Sequence, residues 1–210
     1  MSAALLSVLG AAAPAVAVTA PAVSNGTVHN LHIHLRNSSS SNWSGFAATG
    51  GGFTSISASW VEQTGSEVDC SGGSPQYYSW YEMYPAYPTN FSNTVKPGDH
   101  FTGSVTYNGS GKFTMKLSDT TQGWSRSVSK TYSPAQRYSV EVIAEAPSSS
   151  TDVLPLTDFA TVNFTNSLAN GQALGNYSPD QINMVSGSTT KASTSSLSGG
   201  ESFSVAWRHS

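Results

Sequence analysis

Charge is the scarcest commodity in this sequence. Asp, Glu, Lys and Arg together make up 10% of its 210 residues, well under the quarter that is usual for a soluble domain. The 9 Lys+Arg are scattered and the formal net charge is −3, so no basic patch exists to grip a polyanion, and nucleic acid is excluded as a partner. The same scarcity favours tolerance of acid. Acid unfolds proteins by protonating paired carboxylates and accumulating positive charge, and a chain with 12 Asp+Glu, 9 Lys+Arg and 5 His has little of either.

Cysteine is nearly absent too. Cys70 stands alone, which in a secreted protein points to a lost partner, an intermolecular bridge or a free thiol. Long helical periodicity is missing, as are several signatures of hydrolases. There is no G-x-S-x-G elbow and no H-E-x-x-H helix, which removes the commonest serine and zinc mechanisms. Gln63-Thr64-Gly65 imitates an aspartic peptidase loop without its carboxylate, and no D-[TS]-G occurs elsewhere. A shared-proton Asp pair is therefore excluded.

What is present are short alternating runs separated by turn residues, the pattern of an all-β sandwich or barrel. Phe101–Tyr107 alternates, Asn108-Gly109-Ser110-Gly111 turns, and Lys112–Leu117 returns; an Asn-Gly pair between such runs is a strong hairpin signal. Strands are expected at Trp124–Tyr132, Tyr138–Glu145, Phe159–Phe164 and Ser202–Trp207, with a long loop or weak hairpin over Ser186–Gly200. The aromatic segment Tyr77–Pro85 reads as one more strand, with Tyr78, Trp80, Glu82 and Tyr84 on one face. Both faces are bulky, as for a strand with a core behind it and a lined groove in front.

The N-terminus begins with an Ala- and Leu-rich run in which Ala15-Val16-Ala17 suits a signal peptidase. Residues 1–17 are expected to be a signal peptide, 18–40 a prosegment or flexible arm, and 41–210 a single β-sandwich domain. Pro14 and the weak hydrophobicity of the Ala-rich half argue against a membrane span, so the protein is expected outside the cell and off the membrane. His29, His32 and His34 lack a nearby Cys or carboxylate to complete a tetrahedral set, and no metal site is expected there.

Two carboxylates, Glu141 and Glu145, lie on one strand. Four residues of strand span roughly 13 Å, beyond the roughly 5–9.5 Å that separates paired glycosidase carboxyls. If either is catalytic, its partner comes from elsewhere in the fold.

Several short motifs fall in an order that resembles the eqolisin, or glutamic peptidase, family. Ser41-Asn42-Trp43-Ser44-Gly45 is similar to the family's S-N-W-x-G, Gln63-Thr64-Gly65 to its Q-T-G, and Trp80–Pro85 to its W-Y-E-x-Y-P. Val95–Asp99, Glu141–Glu145 and Phe159–Asn166 resemble later members of the series, so the likeness runs from about Ser41 to the C-terminus. The resemblance implies a sandwich of two large antiparallel sheets, of the lectin-like, jelly-roll type, with a substrate cleft on one curved face. It implies a secreted, acid-acting endopeptidase in which Gln63 and Glu145 are the catalytic pair and Trp43, Glu82 and Tyr84 line the cleft. A polypeptide substrate, a monomer, and no metal or organic cofactor are expected.

The chemistry fits the residue types. A Glu carboxylate can take a proton from water and return it to a leaving amine; a Gln amide does not titrate and can donate to an oxyanion at any pH. A rival reading keeps the sandwich and drops catalysis: the aromatics Trp43, Trp80, Tyr81 and Tyr84 would then bind polysaccharide or peptide.

One departure bears on that choice. The family carries a segment ending in W-V-G-[IL]-D-G before its Q-T-G strand, whereas here Trp60 runs directly into Val61-Glu62-Gln63. Ile56, Ala58 and Trp60 mark an apolar face, and continuing the strand puts Glu62 on it. One strand cannot hold both registers without a turn or bulge, and no turn residue stands there, so a cleft segment is expected to be missing between Trp60 and Val61. A cleft segment missing there would also account for the unpaired Cys70.

Overall fold

The structure is a computed structural model that describes residues 3–9, 37–64, 69–71, 74–84, 86–146, 153 and 155–210. His29, His32 and His34, and most of the expected leader and prosegment, lie outside the described residues. In chain order the strands are β1 (Ala3–Leu9), β2 (Asn37–Ser40), β3 (Trp43–Thr49), β4 (Ser55–Val61), β5 (Asp69–Ser71), β6 (Ser74–Gln76), β7 (Trp80–Tyr81) and β8 (Thr89–Asn90). They continue with β9 (His100–Tyr107), β10 (Lys112–Asp119), β11 (Trp124–Thr131), β12 (Ser139–Glu145), β13 (Thr161–Ala169), β14 (Gln172–Ala173), β15 (Asp180–Ser186), β16 (Thr189–Thr194) and β17 (Phe203–Trp207). A single 3-10 turn, Leu174–Tyr177, is the one helical element among the described residues.

Hydrogen bonding runs through a 13-stranded sheet in the order β1-β12-β3-β15-β16-β17-β13-β4-β9-β10-β11, with β2 attached to β15 and β14 to β13. All pairings are antiparallel except that of β2, which runs parallel to β15. The sheet folds over as a β-sandwich, so that strands far apart in the order share one core. Ile56 and Ala58 of β4, Val140, Val142 and Ala144 of β12, Phe164 of β13 and Phe203 of β17 all belong to one buried hydrophobic cluster. The Phe164 and Phe203 rings stack at 4.9 Å, and Phe46 of β3 meets Phe203 edge-on at 4.9 Å. Each fully buried Phe contributes on the order of 1.5–3 kcal/mol.

The outward face of the other layer is covered with hydroxyls. Ser59 of β4 bonds Thr102 of β9 at 2.9 Å, while Thr114 and Ser118 of β10 bond Ser129 and Ser125 of β11 at 3.0 and 2.8 Å. The expected hairpin joins β9 to β10: Asn108 N–H donates to Lys112 O, and Gly109 supplies the positive φ of 90° that the turn needs. At the next turn the Asp119 carboxylate accepts the N–H groups of Thr121 and Gln122, both at 2.9 Å. The stretch Ser186–Gly200 proves to be the turn and return strand of the β15–β16 hairpin, followed by a bridge between Ser198 and Ser202.

Two expectations are corrected. Tyr77–Pro85 is not one strand: only Trp80–Tyr81 pairs, with Thr89–Asn90, as a separate two-stranded ribbon. With so short a ladder the alternation of faces is not enforced, and the partner segment, flanked by Pro88, is too short to extend it. The junction after Trp60 has neither turn nor bulge on its β9 side, where Trp60 pairs Phe101 and Val61 pairs His100 in unbroken register. The register conflict is resolved by burial instead, and Glu62 continues the Ile56–Ala58–Trp60 row to lie 7% exposed.

Candidate active site

The site grows from the meeting of β3 and β12. Trp43 and Glu145 are directly opposed in the ladder, and opposed residues of an antiparallel pair project from the same face. Ser44, Phe46 and Ala48 face inward; the Ser44 hydroxyl is satisfied in the interior by Thr194 Oγ1 at 2.8 Å. Trp43 and Glu145 therefore leave the core on the other face. Gly45 of the S-N-W-S-G motif has a structural reason to be glycine: its φ is 152°, and a Cβ there would collide with the Val142 carbonyl.

The turn before β3 aims a polar group at Glu145. The Ser40 hydroxyl accepts the backbone N–H groups of Asn42 and Trp43 at 3.3 and 3.2 Å, and donates to Asn42 Oδ1 at 3.2 Å. Asn42 Nδ2 in turn donates to Glu145 Oε1 at 3.3 Å. The Trp43 indole N–H is buried without a hydrogen-bond partner, yet lies close enough to favour the ionised form of Glu145. Burial dominates, and it lifts the Glu145 pKa above its ordinary 4.5; the nearby Glu82 charge pushes in the same direction. Glu82 is itself raised by burial. Its charge acts on Glu145, so these two carboxyls share one environment.

Tyr84 follows two residues later, but its ring is 53% exposed. Gln63 lies just beyond β4, where Nε2 donates to the Val61 carbonyl at 2.8 Å. Among the described residues no hydrogen bond joins Gln63 to Glu145. The structure thus gathers Trp43, Glu82 and Glu145, and places Gln63 just past the end of β4, bonded to Val61. Glu141 is buried at 3% exposure further along β12. Cys70 falls in β5, opposite Pro75 of β6. No group of three or more His, Cys, Asp or Glu that could hold a metal occurs among the described residues.

Two residues near the site were not singled out by sequence. Asn42 looked like one letter of a motif, and Ser40 like the end of an arm; the signal was the serine placed where its hydroxyl can take the next two free N–H groups. Glu62 was noticed only as a break in pattern. Buried, with Oε1 unpartnered, it has a pKa raised to about 7 chiefly by burial; the Trp60 indole opposes this, and the charge of Asp99 adds a smaller push upward. Asp99, 1% exposed, is held by Lys96 N–H and Gln122 Nε2, both at 2.7 Å.

The family described as the Peptidase A4 family matches residues 61–207, opening at the residue after the Trp60 junction. Comparison with curated protein sequences gives no match. Among solved structures the chain is similar to scytalido-glutamic peptidase with a transition state analog inhibitor, at 22% identity and a TM-score of 0.68, covering 80% of this chain and 98% of that one. It is similar to SCP-B, a member of the Eqolisin family of peptidases in complex with the tripeptide Ala-Ile-His, at 19% identity and a TM-score of 0.57, with the same coverage of 80% and 98%. Aspergilloglutamic peptidase from Aspergillus niger gives 21% identity and a TM-score of 0.58 over 73% of this chain and 99% of that one. At these identities the likeness is one of fold.

Proposed function

The chain belongs to the Peptidase A4 family, and from that premise we propose that it is a glutamic endopeptidase working in acid, with Glu145 as general base and acid and Gln63 as its partner. The observation that carries the reading is the setting of Glu145: a carboxyl with a raised pKa at a strand end, held by the Asn42 amide and flanked by Trp43 and Glu82. Perturbed carboxyls with a specific partner are what acid–base chemistry requires.

In this mechanism the Glu145 carboxylate removes a proton from water as the oxygen adds to the scissile carbonyl carbon. The resulting oxyanion accepts a hydrogen bond from Gln63. The protonated Glu145 then gives its proton to the amide nitrogen, the C–N bond breaks, and the carboxylate is restored. A primary amide has two N–H donors. The bond to Val61 uses one and fixes the side chain, leaving the second for the oxyanion in a pre-set direction. Trp43, Glu82 and the exposed Tyr84 ring would bear on the polypeptide substrate.

The raised pKa sets where activity falls away in acid. A base with a pKa above 4.5 is only about 3% ionised or less at pH 3, so kcat/KM should climb close to tenfold per pH unit there and level off as Glu145 ionises. The leader supports secretion as part of this proposal; removal through Ala17 would take β1 with it.

A second reading, a sandwich that binds peptide or polysaccharide without cutting it, draws on the absence of a hydrogen bond between Gln63 and Glu145. Cleavage of an unfolded protein by the purified chain at pH 3, 5 and 7, beside Glu145→Gln, separates the two. Cleavage that rises between pH 3 and pH 5 and is lost in the variant supports the peptidase. No cleavage by a chain with a cooperative melting transition favours the binder.

A further inference from the structure

We propose that Asn42 is a positioning residue for Glu145, gripping one carboxyl oxygen through its side-chain amide while Ser40 grips the amide. This rests on the reading of Glu145 as the catalytic carboxyl. Asn42 makes two contacts at this strand end: Nδ2 donates to Glu145 Oε1 at 3.3 Å across 103 residues of sequence, and its backbone carbonyl accepts the N–H of Ala146, the next residue, at 2.7 Å. The carboxyl is thus tied to the same residue as the backbone that follows it.

Asn42 does not hold itself. Its Oδ1 accepts from the Ser40 hydroxyl, whose oxygen also takes the N–H groups of Asn42 and Trp43. Ser40 closes β2, opposite Met184 of β15, so the orientation of the amide is set by a strand. The Ser40 donor to Oδ1 fixes which end of the amide faces Glu145, and that end is a donor. A donor at Oε1 favours the carboxylate and restricts rotation of the group, which leaves Oε2 to carry the proton to and from substrate. An Asp at position 42 would face Glu145 with a third negative group beside Glu82, which explains the amide.

The test uses the full chain with Asn42→Ala, Asn42→Asp, Ser40→Ala and Glu145→Gln. Three readings are taken: kcat and KM across pH, carbon-13 titration of the Glu145 carboxyl, and the melting midpoint in acid. Losing a hydrogen bond to a charged group should lower kcat by about tenfold or more in Asn42→Ala with KM little changed. The acidic limb of kcat/KM and the Glu145 titration should both move to higher pH. Ser40→Ala should move both the same way by less, and Asn42→Asp by more. Equal falls in kcat and melting midpoint, with limb and titration unmoved, would overturn the inference. Should Asn42→Ala fail to fold, Ser40→Ala carries the same readings. If Glu145→Gln still cleaves, the catalytic assignment falls, and Asn42 with it as a positioning residue. If Glu145→Gln is inactive while the Asn42 and Ser40 variants titrate like the parent, the inference falls alone.

Discussion

Two strands of this protein end near a carboxyl whose pKa burial has raised, and the two ends are built differently. At the end of β12, Glu145 has a hydrogen-bonded oxygen, an indole N–H alongside and a second carboxyl close by. Just past the end of β4, Glu62 is closed off on the core side of the sheet. It too has an indole, that of Trp60, beside it, but one oxygen is unpartnered, no amide among the described residues reaches it, and the Asp99 charge is nearby. Desolvation is the largest cause of both shifts, so the shift alone does not distinguish a group poised for chemistry from one that is merely confined. Donors and access do. On the proposed function, proton transfer falls to Glu145, and Glu62 contributes pH-dependent stability.

The sign for Glu62 follows from its direction. Its folded pKa, about 7, lies above the ordinary 4.5, so the folded state holds a proton that the unfolded chain releases. Its contribution to stability is complete below pH 4.5 and is lost as the pH rises towards and through 7. The full difference is on the order of 3 kcal/mol. Catalysis at Glu145 needs the pH high enough to ionise a raised carboxyl; the fold needs it low enough to keep Glu62 neutral.

The largest effect expected is on activity. Glu145→Gln should lower kcat/KM by about a thousandfold or more while Glu62→Gln stays within about twofold in acid, measured on the same peptide at pH 4. Equal losses would erase the distinction. Next comes Trp60→Ala, which removes a ring stacked on Phe101 at 5.6 Å and near Phe164 at 6.4 Å. It should cost roughly 3–4 kcal/mol in denaturant unfolding at pH 4 and, by admitting water beside Glu62, weaken the dependence of stability on pH. Glu62→Gln should raise the melting midpoint at pH 8 by roughly 5–10 °C and leave it nearly unchanged at pH 4. A midpoint equally pH-dependent in that variant would place the sensitivity elsewhere, with Glu145 the next carboxyl to examine.

Much of this was legible in the sequence where a local rule decides. The Asn108-Gly109 turn and the alternating runs on either side depend on neighbours within a few residues. So does the strand carrying Glu145. Tyr77–Pro85 misled because alternation on paper needs a partner strand of equal length, and only Thr89–Asn90 is available. The junction after Trp60 misled for the opposite reason: a carboxyl on an apolar face looked like a register error, and the fold keeps the register by burying it. Asn42 was unreadable as a partner of Glu145 because the contact spans 103 residues, and the ordered motifs showed the company Glu145 keeps in sequence rather than in space.

The hydroxyl pairs across β4, β9, β10 and β11 have a consequence for the medium in which the fold holds. Ser59 with Thr102, Thr114 with Ser129, and Ser118 with Ser125 do across strands what Lys and Glu pairs do in many sheets. A hydroxyl pair has no net charge to be screened, whereas an exposed ion pair weakens as the Debye length shrinks. This layer should hold its pairing alike in dilute buffer and in brine.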